Sequence, residues 1–323
     1  MAVMHIQRPV AGWEKSYALL ADSADKETAV IFVHGFKGHP RTTWLQFQTL
    51  VDELQASYPA WASADLFFYG YDSFIYGINI NAEKFLRFVG AVFPVPSPTL
   101  FNLQIDRLPD SVRKSYKGLV LPVPQRYRRL LLVGHSMGGV VIRAAVLMSL
   151  RRSLKLAADA GVGLDVGVSL KYQLQSLSLP NAELRLFAPA HFGANPAGWL
   201  GVLLNIPFIG ELVGAWLCFG QAYGELSRDS PILREICQQT TGLAREYTYL
   251  SALRARSVWG TGEKVVTAGE YEHDYPSEYV SNVSHSDVCK PTLGYTLPLE
   301  FAIAGYHTYG TSAAAADQPS SAV

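Results

Sequence analysis

The sequence predicts an α/β fold with a mostly parallel central sheet flanked by helices. Two observations carry this reading. Short β-rich apolar runs alternate with helical runs along the 323 residues, the order that builds strand–helix–strand crossovers. One such run, Leu130-Leu131-Leu132-Val133, ends in Gly134-His135-Ser136-Met137-Gly138, and a helical apolar run, Val140 to Leu150, follows at once. Strand, then G-x-S-x-G, then helix is the context in which that pattern forms a sharp turn presenting a serine hydroxyl.

The elements are assigned in chain order. Ala29-Val30-Ile31-Phe32-Val33 is an apolar run suited to a buried strand. Thr43 to Tyr58 reads as an amphipathic helix, because Leu45, Leu50 and Leu54 recur on one side. Ala64 to Tyr69 is the next strand. Residues 73–126 are less regular and carry Pro94, Pro96, Pro98, Pro109, Pro122 and Pro124, so loops and one helix are expected there. Leu130 to Val133 leads into Ser136. Leu184 to Ala188 is a strand ending in Pro189-Ala190-His191-Phe192-Gly193. Trp199 to Tyr249 is mostly helical and is assigned, within residues 195–250, as a helical cap inserted into a single domain spanning residues 1–323. Ala255 to Gly260 is a late strand, Glu278 to Val283 is strand-like, and Leu297 to Tyr306 is a terminal helix. The Ala/Ser-rich residues 312–323 read as a frayed tail.

Composition narrows the function classes. A chain of this length buries about three quarters of its unfolded surface. Charged residues make up only 17%, which points to a large core. Lys plus Arg and Asp plus Glu both number 27, so no net positive charge marks a nucleic-acid partner. The basic clusters Arg126–Arg129 and Arg151–Lys155 read as solvated element ends, the second closing a helix. No polybasic groove marks an anionic headgroup. Cys218, Cys237 and Cys289 are scattered, with neither a disulfide framework nor a zinc spacing, and fit a reducing compartment. No metal or other cofactor is implied. The N-terminus lacks the apolar stretch of a signal peptide, so a cytoplasmic location is expected. Trp199 to Phe219 is long enough to span a bilayer. Asn205, Pro207 and Glu211 near its middle argue for two short apolar helices over a pocket, with contact to a membrane surface left open.

A serine that transfers acyl groups needs a base, an acid orienting that base, and two oxyanion donors. The Met137 N–H heads the helix after the serine and supplies one donor. The loop Val33-His34-Gly35-Phe36-Lys37-Gly38 supplies the second, assigned to the Phe36 N–H. Of the eight histidines, 5, 34, 39 and 135 precede the serine, 191 follows its strand too early, and 307 lies in or after the terminal helix. His285, in a polar loop after Glu278 to Val283, is assigned as the base. Glu263, on the Gly-rich loop past the late strand, is assigned as the acid. Asp274, Glu270 and Glu272 are rivals in an acidic, Tyr-rich loop expected to be solvated, and Asp229 is a more distant one. His34, His135, His191, Phe192 and Trp216 are assigned to the walls of a substrate pocket.

These residues resemble the α/β-hydrolase superfamily, over about Thr28 to Tyr306. The chain looks more narrowly like the lipase-like serine esterases grouped with serine-active-site-containing and GPI-inositol-deacylase-like proteins. The likeness rests on Phe32-Val33-His34-Gly35-Phe36-Lys37-Gly38 with Thr43-Trp44, on Val133 to Gly139, on Pro189 to Ala194, and on His285-Ser286-Asp287-Val288-Cys289-Lys290-Pro291. It implies Ser136 as nucleophile, His285 as base and an acid at the Glu263 position. The family more often carries Asp there, so the acid is the point of departure.

The resulting expectation is hydrolysis of a small-molecule or lipid ester through an acyl-enzyme on Ser136. The same residues suit a thioesterase or an amidase, and a ligand-binding protein without turnover is the alternative of a different class. Phe192, Phe208, Trp216 and Phe219 either roof an acyl-chain pocket or pack the cap's own core.

Overall fold

The computed structural model describes residues 4–23, 25–44, 46–97, 99–101, 126–159, 179–195 and 224–304. Strand β3 (Thr28–Val33) lies at the centre, with all six residues buried. A strand hidden on both faces reads as a continuous apolar run rather than an alternation. It pairs in parallel with β4 (Ala64–Tyr69) on one side and with β5 (Arg129–His135) on the other. Beyond β5 come β6 (Glu183–Phe187), β7 (Arg256–Gly260) and β8 (Glu278–Val280), each parallel to its neighbour.

The opposite edge holds a hairpin that the sequence did not announce. Strands β1 (His5–Pro9) and β2 (Tyr17–Ala21) pair antiparallel, and β2 runs antiparallel to β4, giving the order β1-β2-β4-β3-β5-β6-β7-β8. His5, Gln7, Arg8 and Pro9 hide β1 from apolar patterning, yet polar residues and proline suit an outer strand. Asp65 on β4 fastens this edge. It accepts the Ala21 N–H at 2.7 Å and the Tyr127 hydroxyl at 2.6 Å, and its carboxylate lies 3.4 Å from Lys26 Nζ.

Helices cover both faces. Helices α1 (Pro40–Thr43) and α2 (Phe47–Glu53) replace the single helix expected from Thr43 to Tyr58. Trp44 leaves the helical conformation between them, and its buried ring packs on Phe32 at 5.0 Å and Phe187 at 6.2 Å. Packing overrides the local leucine period here, and Leu45 itself lies outside the described residues. Helix α3 (Ile78–Val92) falls in the proline-rich stretch where one helix was expected. Helix α4 (Met137–Asp159) runs nine residues past Leu150, so Arg151–Lys155 lies inside it rather than at its end. Arg151 and Arg152 face solvent and reach Glu235 and Glu83 on neighbouring helices.

Helix α5 (Pro231–Glu246) starts at Ser230, whose hydroxyl accepts the Leu233 N–H, with Pro231 in the first turn. Helix α6 (Leu297–Ala304) packs Phe301 on Phe187 at 5.1 Å. Alternation along β4 divides the layers: Phe68 stacks on Phe32 toward α2, while Tyr69 meets Phe85 and Phe88 of α3.

Several expectations fall outside the described residues: the Trp199–Phe219 stretch with Trp216, Cys218, and the tail at 312–323. Among the described residues no helix is long and apolar enough to cross a membrane, and Cys237 and Cys289 are free thiols.

Phe32 is the fully buried hub of the α2 face, touching Trp44, Phe47 and Phe68. Phe32→Ala should lower unfolding free energy by about 3–5 kcal/mol, the usual cost of an aromatic-to-alanine cavity. Urea denaturation followed by tryptophan fluorescence measures it, and a loss near zero would show that this face is not packed as described.

Candidate active site

The turn from β5 to α4 is built by close approach. A side chain on Gly138 would put its Cβ 2.3 Å from the Val33 carbonyl oxygen, and one on Gly134 would lie 2.9 Å from Gly139. Ser136 sits between them with φ +53, in the left-handed region that costs most residues free energy. Three backbone bonds hold it there. Its N–H donates to the Phe187 carbonyl at 3.0 Å, and its carbonyl accepts from Gly139 at 3.1 Å and Ala190 at 3.2 Å. The Met137 N–H opens α4 and has no backbone acceptor among the described residues.

His285 and Glu263 come from two loops that meet past β7. Gly260 ends that strand, and a Cβ there would fall 2.2 Å from the Val283 carbonyl, so only glycine lets the 281–285 loop pass. The Thr261 N–H donates to Val280 and the Glu263 N–H to Gly260, closing the turn that carries Glu263. His285 Nδ1 lies 2.8 Å from Glu263 Oε2, while Glu263 Oε1 accepts the N–H groups of Val265 (2.7 Å) and Val266 (3.1 Å). Burial pushes the Glu263 carboxyl upward in pKa. The His285 hydrogen bond and charge, with the two backbone donors, outweigh it and hold the group below the ordinary glutamate range.

His135, next to Ser136, tethers the same loop. Its Nε2 lies 2.9 Å from the His285 carbonyl oxygen. A carbonyl only accepts, so Nε2 carries the proton. Burial, then the charge of His285, holds the His135 pKa down to about 3, which keeps the ring neutral.

The loop after β3 is locked from behind by His34. Its Nδ1 donates to the Gly35 carbonyl at 2.8 Å and its Nε2 accepts the Tyr71 N–H at 3.3 Å. Tyr71 stacks on the ring at 4.4 Å and donates its hydroxyl to the His34 carbonyl. Burial lowers the His34 pKa to about 4. The turn closes with Gly38 N–H to Gly35 O at 3.0 Å, and Lys37 takes φ +53 within it. A Cβ on Gly35 would lie 2.9 Å from Ser136 Cβ, so this turn abuts the serine directly.

A cavity of about 750 Å³ brings Phe36, His135, Ser136 and His285 together. Of the expected pocket residues, His135 lines it. His34 is packed behind the loop, and Trp216 lies outside the described residues. His191 and Phe192 instead line a separate cavity of about 220 Å³ against Leu233 and Cys237 of α5. Lys37, Lys264 and Lys290, from three distant loops, also line the larger cavity.

Asp274, expected in a solvated loop, is buried instead. It pairs with Arg143 at 2.5 Å, both side chains 1% exposed, and accepts the N–H groups of Ala255 and Tyr271. Arg143 Nε donates to His191 Nε2 at 2.9 Å, and its guanidinium lies over the Tyr271 ring. Glu272 stays exposed against Arg245, and Glu270 accepts the Ser277 N–H. Sequence reasoning missed this buried pair. Its one signal was an arginine inside the apolar run Val140 to Leu150, a charge that burial obliges to find a partner.

Two outcomes follow for the carboxylates. Asp274→Ala should cost about 3–5 kcal/mol in urea denaturation, because it leaves the Arg143 charge buried and alone. Glu263 is linked to pH with a definite sign. Its folded pKa is depressed, so its stabilisation is complete above the ordinary glutamate value of ~4.3 and is lost as pH falls through the lower folded value. The stability gap between the wild type and Glu263→Gln should therefore be flat near neutrality and shrink only below about pH 4.3. A gap that grew on acidification would contradict the geometry.

No curated protein matches the chain. Similar solved structures include phospholipase PlaB from Legionella pneumophila in complex with thio-NAD, at 17% identity over 80% of this chain and 52% of that one, with a TM-score of 0.42. The chain thus spans about half the length of that phospholipase. The peroxisomal alpha-beta-hydrolase Lpx1 from Saccharomyces cerevisiae matches at 9% identity over 88% and 84%, with a TM-score of 0.43. A predicted CIB-like hydrolase from Thermoplasma acidophilum matches at 11% identity over 94% and 95%, with a TM-score of 0.37. The model of the alpha/beta hydrolase family matches residues 30–287, and it is to this family that the chain belongs.

Proposed function

We propose that the protein hydrolyses carboxylic esters through an acyl-enzyme on Ser136. The observation that carries the reading is the 2.8 Å contact between His285 Nδ1 and Glu263, made beside a cavity that the left-handed Ser136 also lines. A carboxylate on Nδ1 fixes the tautomer whose Nε2 is free to accept a proton. In this reading Ser136 Oγ attacks the acyl carbonyl carbon while its proton passes to His285 Nε2. The carbonyl oxygen becomes an oxyanion, received by the Met137 and Phe36 N–H groups. His285 then protonates the departing alkoxide, leaving the acyl group on Ser136. Water adds to that ester with its proton taken by His285, and the collapse frees the acid and restores the serine. Glu263 stays ionised throughout and balances the imidazolium.

Hydrolysis of p-nitrophenyl esters from acetate to palmitate tests this. Ser136→Ala and His285→Ala should each lower kcat/KM by about 10⁴- to 10⁶-fold, and the double variant no further, because the two act as one unit. Glu263→Gln should cost about 10³- to 10⁴-fold. Wild-type turnover by Ser136→Ala would overturn the reading. Failure of a fluorophosphonate to label Ser136 would point to the binding-protein alternative. Labelling without ester turnover would redirect the chemistry to thioesters or amides.

A further inference from the structure

Among the described residues, the charged side chains lining the cavity in front of Ser136 are all lysines. Lys37 follows β3, Lys264 follows β7, and Lys290 follows the His285 loop, and all three line it. Among the described residues lining the cavity none is Asp or Glu. The nearby carboxylates are turned to other work: Glu263 faces His285, and Asp287 pairs with Lys290 at 3.2 Å. Lys264 is exposed and has no carboxylate within ion-pair distance among the described residues. Lys37 is held in place. Its backbone is in the left-handed region, its N–H donates to Ser73 Oγ at 2.9 Å, and its ammonium lies 5.1 Å from the Phe74 ring centroid. A concave site lined by charge of one sign concentrates ligands of the opposite sign.

We propose that the ester this site takes carries an anionic group, a carboxylate or phosphate, held by Lys264 and Lys37 with Lys290 at the rim while the acyl carbonyl meets Ser136. The inference rests on Ser136 being the nucleophile, and it adds the substrate's charge. The step is the hydrolysis already described, and the anionic group takes no part in bond making.

The test compares two alkyl fluorophosphonates of equal length, one ending in a carboxylate and the other in its methyl ester. The readout is the second-order rate of Ser136 labelling in the full chain. The carboxylate probe should label about tenfold faster or more at low ionic strength. That lead should collapse in about 1 M salt, where the Debye length is about 3 Å. Lys264→Glu should reverse the preference, read as a ratio within the one variant so that a general loss of activity cancels. Equal rates for the two probes in the wild type would overturn the inference and leave the esterase reading standing. Labelling of Ser136 by neither probe would remove the nucleophile assignment and this inference with it. A carboxylate preference unchanged in both Lys264→Glu and Lys37→Glu would overturn the lysine assignment. Replacing the carboxylate by a phosphate ester on the same chain separates the two sources of charge: a phosphate that labels faster than the carboxylate places the preference on phosphate, and the reverse order places it on carboxylate.

Discussion

The site depends on how closely the β5–α4 turn approaches its surroundings. Gly138 leaves only 2.3 Å between a would-be Cβ and the Val33 carbonyl, and Gly35 leaves 2.9 Å between its own and Ser136. Strand β3 and the start of α4 therefore lie nearly in contact. The loops that leave β3 and β5 are forced to face one another across the serine. The left-handed conformation of Ser136 persists because Phe187, Gly139 and Ala190 each hold a backbone bond to it. Strain of this kind survives only where the surroundings over-determine it, and here the parallel pairing of β5 with β3 and β6 does so.

The same principle places His285. Gly260 admits the Val283 carbonyl at a distance no side chain tolerates, which lets the loop carrying His285 fold over the turn carrying Glu263. His135 adds a second constraint from the serine side by donating to the His285 backbone. The imidazole is thus held through its ring by Glu263 and through its main chain by His135, the residue next to Ser136. Two loops distant in sequence gain a fixed relation without either being part of the sheet.

Buried charge is divided between two tasks. The Arg143–Asp274 pair is sealed beneath α5, with Arg143 bonded to His191, and carries a structural load. Glu263 serves His285. Among the described residues lining the cavity at Ser136, the charged side chains are three lysines, one of them paired with Asp287, although the chain as a whole carries no formal net charge. Overall neutrality says nothing about the field inside one concave site, where low-dielectric walls focus local charge.

Much of this was legible in the residues. Five strands were readable because buried parallel strands are continuous apolar runs, and the G-x-S-x-G turn was readable because its glycines answer a local steric demand. Chain order pointed to His285, while Glu263 was preferred over Asp274, Glu270 and Glu272 only because their loop was expected to be solvated. The hairpin β1–β2 was not legible, because His5, Gln7, Arg8 and Pro9 carry no strand pattern and only pairing with β4 gives them one. The helix break at Trp44 was set by Phe32 and Phe187 from other strands. The burial of Asp274 required Arg143, 131 positions away in sequence. The lysine-lined cavity joins residues 37, 264 and 290, which share no run or period. Sequence by itself determined the order of the buried parallel strands and the local geometry of the turn at Ser136. The tertiary structure alone decided which distant side chains meet, because those contacts are set by packing across the sheet rather than by any neighbour along the chain.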